Sequence, residues 1–295
     1  MASLVKSIAK SGRITCAAVD STDIAAKAEQ IHKTSATVTA ALGRLLTAAT
    51  LMGVALKREE HSITLRMQGG GPAGLLIAVT DGLGNVRGDV ETPVVEIPLN
   101  AFGKLDVAGA VGKSGSLSVV KDLGLREPYV GQVPIVSGEI AEDITHYYAV
   151  SEQIPTVCAL GVLVNPDLTV KAAGGFLIQL LPGAQEEEIS RLERNVAALP
   201  PVTRMLEEGA SPEQICRRAL EGFDPQILER MRTEYRCTCS RRRVERALIS
   251  LGRGELAQMI AQEEKIEVNC HFCGKKYNFG RADLQGLLEK AGQKE

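Results

Sequence analysis

The feature that most constrains this chain lies near its C-terminus. It reads Cys237-Thr238-Cys239, then about thirty residues without cysteine, then Cys270-His271-Phe272-Cys273-Gly274. Four of the seven cysteines fall in these two pairs. A Cys-x-Cys and a Cys-x-x-Cys can bring four sulfurs to one point, the all-thiolate tetrahedron that structural Zn²⁺ prefers. Gly274 suits the tight turn of a zinc knuckle, where a missing Cβ lets backbone N–H groups approach the sulfurs. The spacing predicts one zinc per chain, held by Cys237, Cys239, Cys270 and Cys273, rather than four unlinked buried thiols.

A permanent disulfide scaffold belongs to secreted chains. Residues 1–10 contain no apolar stretch and no cleavage site, so no signal peptide is expected. Seven cysteines without one point to a reducing compartment, and hence to the cytoplasm. A length of 295 residues accommodates one large domain and a small one. The formal charge of −2 gives no global pull toward nucleic acid or an anionic membrane. An aromatic content of 3%, with no Trp, argues against a base-stacking surface. The span 36–56 is apolar and long enough to cross a bilayer, but Arg44 and four threonines predict a buried core helix.

Strand-like and helix-like segments alternate through the N-terminal part. Strands are predicted over 4–9 and 13–19, helices over 23–32 and 35–56, then strands over 63–67, 73–80 and 85–91. The glycine loop 69–71 is followed by neither a Lys-Ser/Thr pair nor a clear helix start, so it reads as a hairpin connection and not as a phosphate cradle. Further strands are expected over 115–121, 129–136, 156–164 and 170–181, with a helix over 141–152. The class is α+β, with residues 1–184 forming a core built on a large, mostly antiparallel sheet.

Pro182-Gly183 marks a boundary, after which charged helical segments begin. Ile189, Leu192, Val196 and Leu199 fall on one helical stripe, and Pro200-Pro201 ends it. Ser211-Pro212-Glu213-Gln214 is a capping box that opens another short helix. Helices this short are unstable alone. Residues 185–234 are therefore expected to form a helical, conditionally folded linker docked on the N-terminal core. Residues 235–295 form the third part. Ser240 can cap a helix carrying Val244, Leu248 and Leu251; two strands flank the knuckle, and Leu284, Leu287 and Leu288 mark a last helix. So few large apolar side chains make a marginal core, which a structural metal would complete.

Zinc-held thiolates remain open to oxidants. A Cys-x-x-Cys pair closes readily into a disulfide, whereas a Cys-x-Cys pair closes only into a small strained ring that is easily reduced. Oxidation of both pairs would remove all four ligands and melt the module, which describes a redox switch without saying what the melted state does. Arg241, Arg242, Arg243, Lys275 and Lys276 lie close in sequence to the ligands and can offset their negative charge. Cys16 and Cys158 read as buried core residues, Cys216 lies on a linker helix with no role assigned, and His32, His61 and His146 read as structural. His271 stands inside the knuckle but is not expected to displace a thiolate.

The run Tyr235-Arg-Cys-Thr-Cys-Ser240 with Arg241–Arg243, and Val268-Asn-Cys-His-Phe-Cys-Gly274 with Tyr277-Asn-Phe279, resembles the redox-regulated chaperone family known as heat-shock protein 33, the 33 kDa chaperonin. Gln68-Gly-Gly-Gly-Pro72 and Gly174-Gly-Phe-Leu-Ile-Gln-Leu-Leu-Pro-Gly183 resemble it as well, so the likeness runs over essentially the whole chain. The resemblance implies an ATP-independent holdase of the bacterial cytoplasm and no enzymatic activity. It implies a zinc-bound reduced form that is inactive, and oxidation that releases zinc and forms disulfides Cys237–Cys239 and Cys270–Cys273. It further implies that the linker then unfolds, that apolar surface becomes available to unfolding client proteins, and that the active form is a homodimer. Neither nucleic acid nor membrane is an expected partner. Two rivals remain at the level of residues. A dithiol oxidoreductase using Cys270 and Cys273 would need a thioredoxin-like strand–motif–helix context. A zinc-ribbon nucleic-acid binder would show affinity that falls steeply with salt.

Overall fold

The computed structural model describes residues 2–262 and 265–291; the opening methionine and the last four residues, at the two ends of the expected domain scheme, lie outside them. The chain divides into two compact units, Met1–Arg236 and Cys237–Glu295. The segment 185–234, expected as a linker, belongs to the first.

The first unit is organised by a helix that is apolar on every side. Helix α2 (Ala36–Gly53), which follows α1 (Thr22–His32), buries sixteen of its eighteen residues. Its length and hydropathy would suit a membrane span, but its cover is protein. Arg44 is half-buried and its guanidinium pairs with Glu139. A helix apolar all round needs cover on all faces, and two sheets supply it. One contains β1 (Ala2–Ile8), β2 (Ile14–Asp20), β8 (Thr156–Val164), β9 (Val170–Leu180) and β10 (Gln226–Thr233), in the order β10-β1-β2-β9-β8. The other contains β3 (Ser62–Gln68), β4 (Leu76–Asp81), β5 (Val86–Val90), β6 (Ser116–Asp122) and β7 (Tyr129–Pro134), in the order β5-β4-β3-β6-β7. All ladders between these strands are antiparallel. The strand pattern suggests one large sheet; two five-stranded sheets form because α2 has to be enclosed from more than one side. Short α3 (Val107–Val111) and α4 (Ala141–Tyr147), which runs into a π-helical turn at Tyr148–Glu152, complete this part.

Side chains alternate across the first sheet. Leu4, Val19 and Leu177 face α2 and join the main core, while Val5, Ile14, Cys16, Ala18, Phe176 and Ile178 face the other way. This second face is covered by the segment after Pro182. Helices α5 (Glu186–Ala198), α6 (Val202–Glu207) and α7 (Pro212–Ala219) bring Leu192, Val202, Met205, Ile215, Cys216 and Ala219 onto it. Val196 and Leu199 of the expected stripe pack against the same cluster, whereas Ile189 is half-buried and is not part of it. Two glycines admit α6 to the sheet: a Cβ on Gly161 would meet Thr203 Cγ2 at 2.8 Å, and one on Gly174 would meet Leu206 Cδ1 at 2.6 Å.

The segment is helical to Ala219, but beyond it Gln226–Thr233 is a strand that adds β10 to the edge at β1. Its sequence, Gln-Ile-Leu-Glu-Arg-Met-Arg-Thr, has no clean alternation; the free hydrogen-bonding edge of β1 decides its conformation. Arg230 pairs with Glu213 of α7 at 2.6 Å. The Tyr235 hydroxyl donates to Gly88 O at 2.9 Å, and the Arg236 N–H donates to Val86 O at 2.8 Å. The chain is thus anchored up to the residue before Cys237.

The second unit contains α8 (Arg241–Ser250), α9 (Arg253–Gln262), the antiparallel pair β11 (Lys265–Asn269) and β12 (Lys276–Gly280), and α10 (Arg281–Ala291). Among the described residues its buried core is small: Leu248, Leu256, Tyr277, Phe279, Leu284, Leu287 and Ala291.

Candidate metal centre

The hairpin between β11 and β12 presents one cysteine pair. The Cys270 N–H donates to Lys275 O at 2.9 Å, while Cys273 N–H and Gly274 N–H both return to Cys270 O, at 3.2 and 2.8 Å. This double return folds Cys270 and Cys273 onto one side of the turn. Gly274 takes φ +68°, a left-handed conformation natural to glycine. The other pair comes from the extended segment ahead of α8. Ser240 caps that helix by accepting from the Arg243 N–H at 3.3 Å, which fixes where the extended segment ends.

The four sulfurs converge. Cys237 Sγ lies 3.7 Å from Cys270 Sγ, and Cys239 Sγ lies 3.4 Å from Cys273 Sγ. All four lie within 4.8 Å of one another, and all are free thiols. A Zn–S distance of about 2.3 Å in a tetrahedron places sulfurs roughly 3.8 Å apart. The donor set and its spacing therefore fit a tetrahedral, thiophilic metal ion. The contacts join one cysteine of each pair to one of the other, as four ligands on a shared centre require. Exposed His271 stands outside the cluster.

Tyr277 is the residue that sequence reasoning missed. Its hydroxyl donates to Cys239 Sγ at 3.1 Å. It lies on β12, four residues beyond Cys273, and only the hairpin pairing turns it back toward a cysteine more than thirty positions earlier. As bare thiols Cys237 and Cys239 differ. Burial pushes Cys237 up to about 12, with further upward contributions from hydrogen bonds with its neighbours. At Cys239 burial opposes ionisation, but hydrogen bonds from Tyr277 and the other thiols outweigh it and lower the pKa to about 7. A bound cation would override these differences and hold all four as thiolates.

The basic residues are less available to the thiolates than their sequence positions suggest. Arg241 lies over the Phe279 ring at 4.3 Å and pairs with Glu245 and Asp283, and Lys276 pairs with Glu267. Lys275 sits over the Tyr277 ring at 5.4 Å, and Arg243 donates to Thr238 Oγ1, between the first two cysteines, at 2.6 Å.

A two-part α+β protein whose small C-terminal unit gathers four thiols at metal-binding distance is the class that the fold and site define. The comparisons narrow it. The family model for Hsp33 protein matches residues 2–280. A 33 kDa chaperonin of Geobacillus kaustophilus is 48% identical over 288 residues, 98% of each chain, and one of Acetivibrio thermocellus is 48% identical over 286 residues, 97% of this chain and 96% of that one. The crystal structure of a 33 kDa chaperonin, a heat shock protein 33 homologue from Thermotoga maritima, superimposes with a TM-score of 0.90 at 37% identity over 99% of both chains. The chain belongs to the Hsp33 family.

Proposed function

We propose that this chain is a redox-regulated, ATP-independent holdase of the bacterial cytoplasm, and that residues 185–234 act as the cover of its own client-binding surface. The single observation that carries this reading is the shared apolar cluster of the first unit. Val5, Ile14, Ala18, Phe176 and Ile178 of the sheet are shielded from water by Leu192, Val202, Met205 and Ile215 of the linker. Undocking α5–α7 uncovers both partners at once, and peeling β10 away frees the edge of β1 as a template for an extended chain. Such a surface would bind an unfolding protein without a specific sequence.

The control lies in the four cysteines. A zinc ion on Cys237, Cys239, Cys270 and Cys273 would contribute on the order of 10–16 kcal/mol of binding free energy, which appears as folding free energy in a unit with so small a core. Two hydroperoxide equivalents take four electrons from the four thiols, giving disulfides Cys237–Cys239 and Cys270–Cys273 and, from hydrogen peroxide, four waters. No thiolate then remains to hold the second unit together. Cys237 directly follows Arg236, so disorder there passes by chain connectivity to β10 and the helices before it. The released form associates as a homodimer through the newly exposed apolar surface. The relatives are named as chaperonins, and the reading assigns no catalytic residue to this chain.

The deciding experiment follows a heat-unfolded client by light scattering. Peroxide-treated protein should suppress aggregation and the reduced, zinc-loaded protein should not, with thiol reductant plus zinc reversing the effect. Equal suppression by both forms would show that the cysteines do not control the activity. A steep loss of affinity for nucleic acid with salt, or turnover of a small disulfide substrate, would favour the rival readings.

A further inference from the structure

Cys16 and Cys216 lie outside the metal centre, yet the fold brings them together across 200 residues of sequence. Cys16 is on β2 and Cys216 on α7, and their sulfurs are 3.6 Å apart. Both residues are fully buried. Cys216 Sγ also points at two backbone carbonyls of the sheet, Val5 O and Cys16 O, each at 3.9 Å, and Ser7 Oγ donates to Cys16 O at 3.1 Å. The sequence gives each thiol no partner, and Cys216 reads as incidental; in the structure it is the point at which α7 touches the middle of the sheet.

We infer that Cys16 and Cys216 are a second oxidisable site, whose disulfide fastens α7 to β2 and opposes release of the linker. The inference on release rests on the function proposed above; the cross-link itself does not. Two sulfurs 3.6 Å apart are in contact, and closure to the disulfide length of about 2.05 Å asks for roughly 1.5 Å of side-chain movement. The co-reactant is a hydroperoxide. The Cys216 sulfur attacks the peroxide oxygen, breaking the O–O bond and forming a sulfenic acid with release of one water from hydrogen peroxide. The Cys16 sulfur then displaces the sulfenyl oxygen as a second water. Two thiols lose two electrons and two protons in all, and the peroxide gains both. The tight contact distributes the proton unevenly: the hydrogen bond with Cys216 raises Cys16, and the same bond lowers Cys216, which is consistent with Cys216 reacting first.

Burial sets the order of events. The four metal-centre cysteines are partly exposed, whereas Cys16 and Cys216 are reached only when α7 opens locally. Oxidation at the exposed site would loosen the linker, and oxidation at the buried site would pin one of its helices. The two sites therefore act with opposite sign, and the buried one responds later.

The test uses the full zinc-loaded chain, oxidised with hydrogen peroxide, blocked with N-ethylmaleimide and digested with trypsin without reduction. Peptides 14–27 and 205–217, which carry Cys16 and Cys216, should be recovered joined, and later in the time course than the disulfides of Cys237, Cys239, Cys270 and Cys273. Recovery of both as separate alkylated peptides once those four are oxidised would overturn the site. Hydrogen exchange across α7 is the second readout. Exchange in the oxidised natural chain should be at least tenfold slower than in oxidised Cys216→Ala or Cys16→Ala. A joined peptide with equal exchange in all three would overturn the fastening. Neither readout uses a client, so both stand apart from the aggregation assay; failure of oxidised Cys216→Ala to suppress aggregation would count against the proposed function and leave the cross-link intact.

Discussion

At the scale of single residues, the candidate metal centre is touched by a side chain outside its four cysteines. Tyr277 donates to Cys239 Sγ at 3.1 Å, and a hydrogen bond to a charged acceptor contributes about 1.5–3 kcal/mol. Tyr277→Phe keeps the ring in the small core and removes only the donor. The variant should still bind one zinc per chain but surrender it to a chromophoric chelator about tenfold faster or more; an unchanged release rate would show that the hydroxyl does not support the centre. Substitution of a ligand is a different experiment. A Cys237→Ser, Cys270→Ser double variant should lose the metal, since two thiolates hold an ion far less well than four, and full zinc content in that variant would remove the site.

At the scale of elements, α5–α7 dock on the sheet through an apolar cluster and ion pairs of named residues, which makes their proposed release testable. Leu192 is the buried residue of α5. Leu192→Ala should weaken docking by about 2–4 kcal/mol, as large-to-small changes at buried sites do. The reduced, zinc-loaded variant should then suppress client aggregation in part, without oxidant; complete inactivity despite measured undocking of α5 would separate linker release from chaperone action. The start of α5 also carries a pH dependence. The Glu188 carboxylate accepts from Arg13 at 2.9 Å and from the Gln185 N–H at 2.9 Å, and these bonds hold its pKa down to about 2. A carboxylate depressed in the folded state stabilises fully above its unfolded value near 4.5, and the contribution fades as pH falls from there toward about 2. Proteolysis within α5 should therefore rise over that window, and Glu188→Gln should flatten the pH dependence while raising cutting at neutral pH. The sequence announces α5, through its apolar stripe and acidic first turn, and α7, through its capping box. It does not announce β10, because the residues that make 226–233 a strand lie in β1, more than two hundred positions earlier.

At the scale of the whole molecule, two compact units of very unequal size imply unequal dependence on the metal. Chelation should unfold the second unit while α2 and the strands packed on it, β10 excepted, stay protected from hydrogen exchange; simultaneous loss of protection in both would mean that the units fold as one. The sequence by itself determined whatever is fixed over short separations. Each cysteine pair with its spacing, and the glycine after the second, is legible locally and points to a thiol cluster, although α8, α9 and β11 lie between the two pairs and folding has to bring them together. Most strands and helices of the first unit follow from period-2 and period-3.6 patterns, and α2 is recognisable as a core helix because Arg44 and four threonines interrupt an otherwise apolar span. Tertiary structure alone decided that the strands divide into two sheets, that β10 closes one of them, that Tyr277 reaches Cys239, and that Cys216 meets Cys16. Each of these joins residues whose sequence separation carries no signal. A strand edge, a thiol or a hydroxyl acquires its role only from the partner that folding brings to it.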